Sequence, residues 1–168
     1  MSAKKAQHKP TVNEEVHFVF VEESFDKAAP EIMKLEESNW WPQNSGLTVV
    51  RKTPGVIQAG TIFQYKLAKL FLGGWTAEVV NFIPNRLLSS EFRSGLLQGT
   101  EEIRVEERAN GTKAEYRIRY QVKGFLNKLF WRVFGQRAHN NAIKKILAAF
   151  QDHVHQKAIQ EQEKKFER

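Results

Sequence analysis

One carboxylate, one imidazole and three phenols are the residues of this chain whose types and spacing could do chemistry together. Glu101 shares the alternation of Ile103 and Val105. In a strand it would point to the apolar side, where burial raises a carboxyl pKa toward the range a general acid or base needs. Its place near the beginning of that strand argues instead for a rim position in water, and that is the expectation. Tyr65, Tyr116 and Tyr120 fall on inward parities, and buried hydroxyls seek partners, so several on one face could orient the polar tip of a ligand. His139, at the start of the last helix, could pair with Glu101 or with a ligand, although an imidazole with no assigned partner is more often structural or solvated. If the chain is an enzyme, Glu101, His139 and Tyr120 are its acid–base candidates. Glu78 has the opposite parity to Trp75 and is read as outward.

Other chemistries find no support. The chain has no cysteine, which removes disulfides, thiolate metal sites, iron–sulfur clusters and cysteine nucleophiles together. His153 and His155 are two apart, on opposite sides of a helix, and His8 lies in a polar tail, so no metal is expected. Neither a Gly-x-Ser-x-Gly elbow nor a phosphate-binding or dinucleotide fingerprint occurs, and Gly73-Gly74 is read as a turn. No cofactor is implied.

The charge has a geography. Of 26 Lys+Arg against 19 Asp+Glu in 168 residues, eight cations (Arg117, Arg119, Lys123, Lys128, Arg132, Arg137, Lys144 and Lys145) lie between Tyr116 and Gln151, where no Asp or Glu occurs. Phe125, Leu126, Leu129, Phe130, Trp131, Val133 and Phe134 are interleaved with them. Such a stripe either packs on the sheet with its cations in water, the preferred reading, or forms an interfacial helix on anionic lipid with Lys128, Trp131 and Arg132 facing the membrane. No nucleic-acid module is recognised, so a specific nucleic-acid partner is not expected. The basic start Lys4, Lys5 and Lys9 is followed by polar residues in place of a signal sequence's apolar stretch, and no apolar run approaches the roughly 18 residues of a membrane span. The reading is a soluble, cytoplasmic single domain whose oligomeric state is open.

These groups need elements to hold them. Residues 1–13 show no periodicity and are expected to be disordered. Strands are expected from Val16 to Val21, Leu47 to Lys52, Gly60 to Leu67, Trp75 to Ile83, Leu87 to Arg93, Thr100 to Glu107 and Lys113 to Val122. A helix with Phe25, Ala28, Ala29, Ile32 and Leu35 on one face follows the first strand, its start reset by Pro30, and Asn39-Trp40-Trp41-Pro42 closes it. Asn110-Gly111, also part of a glycosylation sequon, is read as a two-residue hairpin turn that sets Val105 opposite Tyr116 and Ile103 opposite Ile118. That register costs two like-charge pairs, Arg104 with Arg117 and Glu106 with Glu115. From about Ala138 to Gln162 a helix without Gly or Pro would span about 37 Å.

This order, with Trp41-Pro42 after the first helix, Gly60-Thr61 opening a strand, Trp75 and Pro84-Asn85 bracketing the next, Asn110-Gly111-Thr112 and the long amphipathic end, resembles the START-like or SRPBCC helix-grip superfamily. Within it the likeness is to polyketide cyclase/dehydratase-like and lipid-binding members. The resemblance implies an α+β fold: a strongly curved antiparallel sheet of about seven strands wrapped around a long C-terminal helix, with one or two short helices after the first strand. It would occupy residues 14–163, with 164–168 a frayed end. It also implies an apolar cavity between sheet and last helix, holding a lipid-, polyketide- or quinone-like molecule without catalysis, or serving a cyclase- or dehydratase-like enzyme. By parity its lining would be Trp41, Phe63, Tyr65, Trp75, Phe92, Ile103, Tyr116, Tyr120, Ile143, Leu147 and Phe150. An empty cavity of about 300 Å³ would cost roughly 7 kcal/mol, so a large one must be filled and an empty one must be small.

Overall fold

A computed structural model describes residues 12–35, 40–68 and 74–166. The greater part of the proposed N-terminal tail, together with Asn39 and Gly73, lies outside the described residues. The described residues form seven strands: β1 (Asn13–Val21), β2 (Leu47–Arg51), β3 (Ile62–Leu67), β4 (Trp75–Ile83), β5 (Leu87–Gly95), β6 (Leu97–Arg108) and β7 (Gly111–Val122). They form one antiparallel sheet in the order β1-β7-β6-β5-β4-β3-β2. Register breaks in β4 against β5 help the sheet to curl into a half-barrel.

The helix α1 (Phe25–Met33) joins β1 to the far edge of the sheet. Its start is not reset by Pro30, which sits inside the helix. Ala28, Ala29, Ile32 and, just past the helix, Leu35 turn inward, as the three- and four-residue spacing predicts, and Met33 is buried with them. After β7 the chain is helical from Phe125 to Phe166: α2 (Phe125–Phe130), a π-helical turn (Trp131–Gly135) and α3 (Gln136–Phe166). The end expected to fray from 164 is thus helical through Phe166. Ile143, Ile146, Leu147, Phe150 and Val154 of α3 are buried with the inner face of the sheet in one core.

Inward positions follow the period of two on β1, β3 and β7 and through the middle of β6, and the alternation is interrupted on β4 after Val79, where its register against β5 shifts. On β7, Ala114, Tyr116, Ile118, Tyr120 and Val122 are buried, while Arg117 and Arg119 on the outer face bridge to Glu14 of β1. On β1 the inner face carries Glu15, His17, Val19 and Val21, and Val16, Phe18 and Phe20 are exposed. The β6–β7 register differs from the expected one by two residues: Arg108 pairs with Gly111, Ile103 with Tyr116, and Glu101 with Ile118. Parity survives a shift of two, so the inner face is unchanged. The expected like-charge pairs become Arg104 with Glu115 and Glu106 with Lys113, opposite charges on the outer face. Ala109 and Asn110 form the turn, and Gly111 opens β7 at φ +151°, where a Cβ would lie 2.1 Å from the carbonyl oxygen of Val21.

Candidate functional site

Between the end of α1, Trp40-Trp41, β2, β3 and α3 lies a small apolar cavity. Ile32, Leu35, Trp40, Trp41, Leu47, Val49, Tyr65, Ile103, Tyr116, Ile143, Ile146 and Leu147 contribute to its wall. Both indoles are pinned from behind: Trp40 Nε1 donates to the Glu31 carbonyl at 3.2 Å and Trp41 Nε1 to the Leu47 carbonyl at 3.0 Å. The volume is about 40 Å³. At that size an empty cavity costs only about 1 kcal/mol, so the fold tolerates it without an occupant.

Tyr65 and Tyr116 of this wall hold a carboxyl group between them. Tyr65 Oη donates to Glu101 Oε1 at 2.6 Å and Tyr116 Oη to Glu101 Oε2 at 3.2 Å. Contrary to the expected rim position, Glu101 is 2% exposed. The reason is that β6 begins at Leu97 and not near Thr100, which puts Glu101 well inside the strand. Burial pushes its pKa up to about 7, outweighing the two hydroxyls that pull it down. Burial, followed by the charge of Glu101, raises Tyr116 well above an ordinary phenol. Tyr65 stacks on Trp75 with ring centroids 5.3 Å apart and planes 8° from parallel. Ser90, opposite Glu101 in the ladder, is wholly buried, and its Oγ and Trp75 Nε1 have no hydrogen-bond partner among the described residues.

A second polar group is built on β1, β7 and the helix. Glu15 Oε1 accepts from Tyr120 Oη at 2.7 Å and from Gln136 Nε2 at 2.9 Å, and Trp131 Nε1 donates to Tyr120 Oη at 3.0 Å. His139 pairs with Glu15 and not with Glu101: Nδ1 lies 3.4 Å from Glu15 Oε2, close enough for an ion pair though not aligned as a hydrogen bond. The imidazole is fully buried, with the rings of Trp75, Tyr116 and Trp131 at 6.2, 6.1 and 6.0 Å. Burial alone would raise Glu15, but the close contact and charge of His139 and the hydrogen bond from Tyr120 hold it below the usual carboxylate range. Among the described residues no three His, Asp or Glu side chains cluster as a metal site would require.

Of the residues expected to line a ligand cavity, Trp41, Tyr65, Ile103, Tyr116, Ile143 and Leu147 border this one. Phe63, Trp75, Phe92 and Phe150 are buried in the surrounding core, and Tyr120 belongs to the second polar group. Glu78 faces outward as expected, its Oε2 accepting from Arg93 at 2.8 Å. Sequence reasoning missed Ile32, Leu35, Trp40, Leu47, Val49 and Ile146 as wall residues, and Glu15 and Gln136 as polar ones, whereas strand parity does turn Ser90 inward. The alternation of β1 held the signal for Glu15, which shares the parity of His17, Val19 and Val21.

The segment Phe125–Gly135 overturns the preferred packing of its stripe. Phe125 (82% exposed), Leu126, Leu129, Phe130, Val133 and Phe134 all face solvent. Trp131, which only the interfacial alternative turned outward, is 3% exposed and packs inward as the preferred reading had it, while Lys128 and Arg132 are exposed. A Cβ on Gly135 would lie 2.6 Å from the Trp131 ring, so glycine there admits the indole.

No family model and no curated protein matches the sequence. Solved structures do resemble the fold. An aromatase/cyclase, ZhuI, from Streptomyces sp. R1128 matches with a TM-score of 0.66 at 11% identity, covering 88% of this chain and 96% of the other. The KanY protein matches at 0.64 and 15% identity over 86% and 99% of the two chains. Norcoclaurine synthase from Thalictrum flavum, in complex with dopamine and hydroxybenzaldehyde, matches at 0.60 and 14% identity over 87% and 88%. At such identities the likeness is one of fold alone, and what the chain shares with these proteins is the helix-grip fold, a curved antiparallel sheet around a long C-terminal helix.

Proposed function

We propose that this chain binds a small hydrophobic molecule carrying one polar group, held between the sheet and α3. The observation behind this reading is an apolar cavity whose wall contains two tyrosines tied to a fully buried carboxyl. Apolar walls supply affinity, and a few fixed polar groups supply orientation. The norcoclaurine synthase structure holds single-ring aromatic molecules on the same fold. A cavity of about 40 Å³ argues against a long acyl chain, and even a compact ligand of that kind requires the wall to give way on binding. The setting is the cytoplasm, as the sequence reading has it.

A test is native mass spectrometry of the protein purified without detergent, followed by thermal denaturation with a panel of phenols, aromatic aldehydes and short-chain acids. Co-purification or a rise in Tm, abolished by Val49→Phe, is the expected result. A bare protein whose Tm no panel member shifts would overturn the reading.

A second reading is favoured by Glu101 itself, since a carboxyl poised at about 7 beside two phenols suits acid–base work on the bound molecule, as in a cyclase- or dehydratase-like enzyme. It requires that turnover of a bound substrate depend on pH near 7 and disappear in Glu101→Gln while binding persists. Equal activity in that variant would exclude it.

A further inference from the structure

We infer that the segment Phe125–Gly135 is a docking face for an anionic lipid bilayer. On a helix, residues four apart share a row. Phe125, Leu129 and Val133 form one row, Leu126, Phe130 and Phe134 the next, and all six are exposed. In the row after these, Trp131 and Gly135 are buried, anchored by the indole's bond to Tyr120, with Asn127 half-exposed at its start. The remaining row presents Lys128 and Arg132 to solvent, flanking the apolar rows on one side.

The pattern is therefore that of an amphipathic helix whose larger apolar face points away from its own protein. Exposed apolar patches of this kind mark an interaction surface. Charge selects the occupant. Lys123, Lys128, Arg132 and Arg137, all exposed, lie within or beside this segment of the chain, and no Asp or Glu occurs between Tyr116 and Gln151. A second copy laid face to face would oppose cation to cation, whereas an anionic headgroup layer meets the cations and admits the aromatic side chains. Among the described residues no helix is long and apolar enough to cross a membrane, so the segment would lie in the interface plane. This inference does not rest on the proposed ligand site.

The test is flotation with vesicles of phosphatidylcholine containing phosphatidylserine, beside vesicles of phosphatidylcholine alone. Wild type is expected to float with the anionic vesicles, less so as salt rises. The charge reversal Lys128→Glu with Arg132→Glu should reduce binding about tenfold or more, as should Phe130→Ser with Phe134→Ser. These side chains are exposed, so unchanged Tm is the control for folding. Absence of binding at low salt, or binding indifferent to both double variants or to lipid charge, would overturn the inference. So would sedimentation showing a self-associated form that Phe130→Ser with Phe134→Ser disperses, because the face would then belong to a second copy.

Discussion

Tyr65 Oη lies 2.6 Å from Oε1 of Glu101, a hydroxyl aimed into a carboxyl group that water does not reach. Tyr65 is on β3 and Glu101 on β6, with β4 and β5 between them in the sheet, so only a strongly curved sheet brings them into contact. The curvature that makes the helix grip also makes this contact. Tyr65 is in turn held flat against Trp75, which limits where its hydroxyl can go.

The first expectation concerns pH. Glu101 has a pKa of about 7 in the folded chain against 4.5 as the reference value, so between these values the folded state keeps a proton that the unfolded state has released. The contribution to stability is full below 4.5 and is lost as pH rises through about 7, a difference of roughly 3 kcal/mol. Glu101→Gln, which cannot ionise, should flatten that decline in urea unfolding followed across the range. A variant that declines as steeply as wild type would locate the effect elsewhere.

Tyr65→Phe removes a bond that holds the Glu101 pKa down. Its carboxyl should then titrate at higher pH than in wild type, as read from the carbon-13 shift of the side-chain carboxyl. An unmoved midpoint would mean that the hydroxyl does not favour the ionised form.

Gly135→Ala places a methyl group 2.6 Å from Trp131. Overpacking of this kind costs about 1–3 kcal/mol. The loss should appear in chemical denaturation, and Trp131→Phe, which shrinks the ring, should recover part of it in the double variant. Full stability in Gly135→Ala would mean that the indole yields freely.

Glu31 links α1 to α3 by accepting from Lys34 at 2.7 Å, Lys157 at 2.8 Å and His153 at 2.9 Å. Burial opposes its charge, yet these bonds bring its pKa down to about 2. The stabilisation is present above 4.5 and is lost as pH falls through about 2. Glu31→Gln should cost about 1–2 kcal/mol near neutral pH, since its cationic partners are themselves partly exposed. The gap to wild type in thermal denaturation should close on acidification; a constant gap would assign the loss to packing.

Strand parity was readable because a period of two survives errors in register: Tyr65, Tyr116 and Ile103 came out on the inner face although the β6–β7 register was two residues off. The register itself was not readable, because the turn falls on Ala109-Asn110 and leaves Gly111 to the strand, a choice that the contact with Val21 decides. Glu101 was misplaced for a related reason, its strand starting earlier than its polar residues suggest. The helix from Phe125 was the harder case. Periodicity shows that a helix has two faces but does not say which is covered, and here two buried positions, Trp131 and Gly135, outweigh a larger apolar face left in water.

The pairing of β1 with β7 has a kinetic meaning. Asn13 meets Tyr120, so the edge strand made first must wait for the seventh strand before it has a partner. Closing so long a loop is slow compared with forming the successive hairpins from β2 to β7. β1 is therefore expected to be the last strand to gain amide protection during refolding. Until it docks, His139 and Tyr120 lack Glu15, so the polar group beneath the helix is completed only as the barrel edge closes.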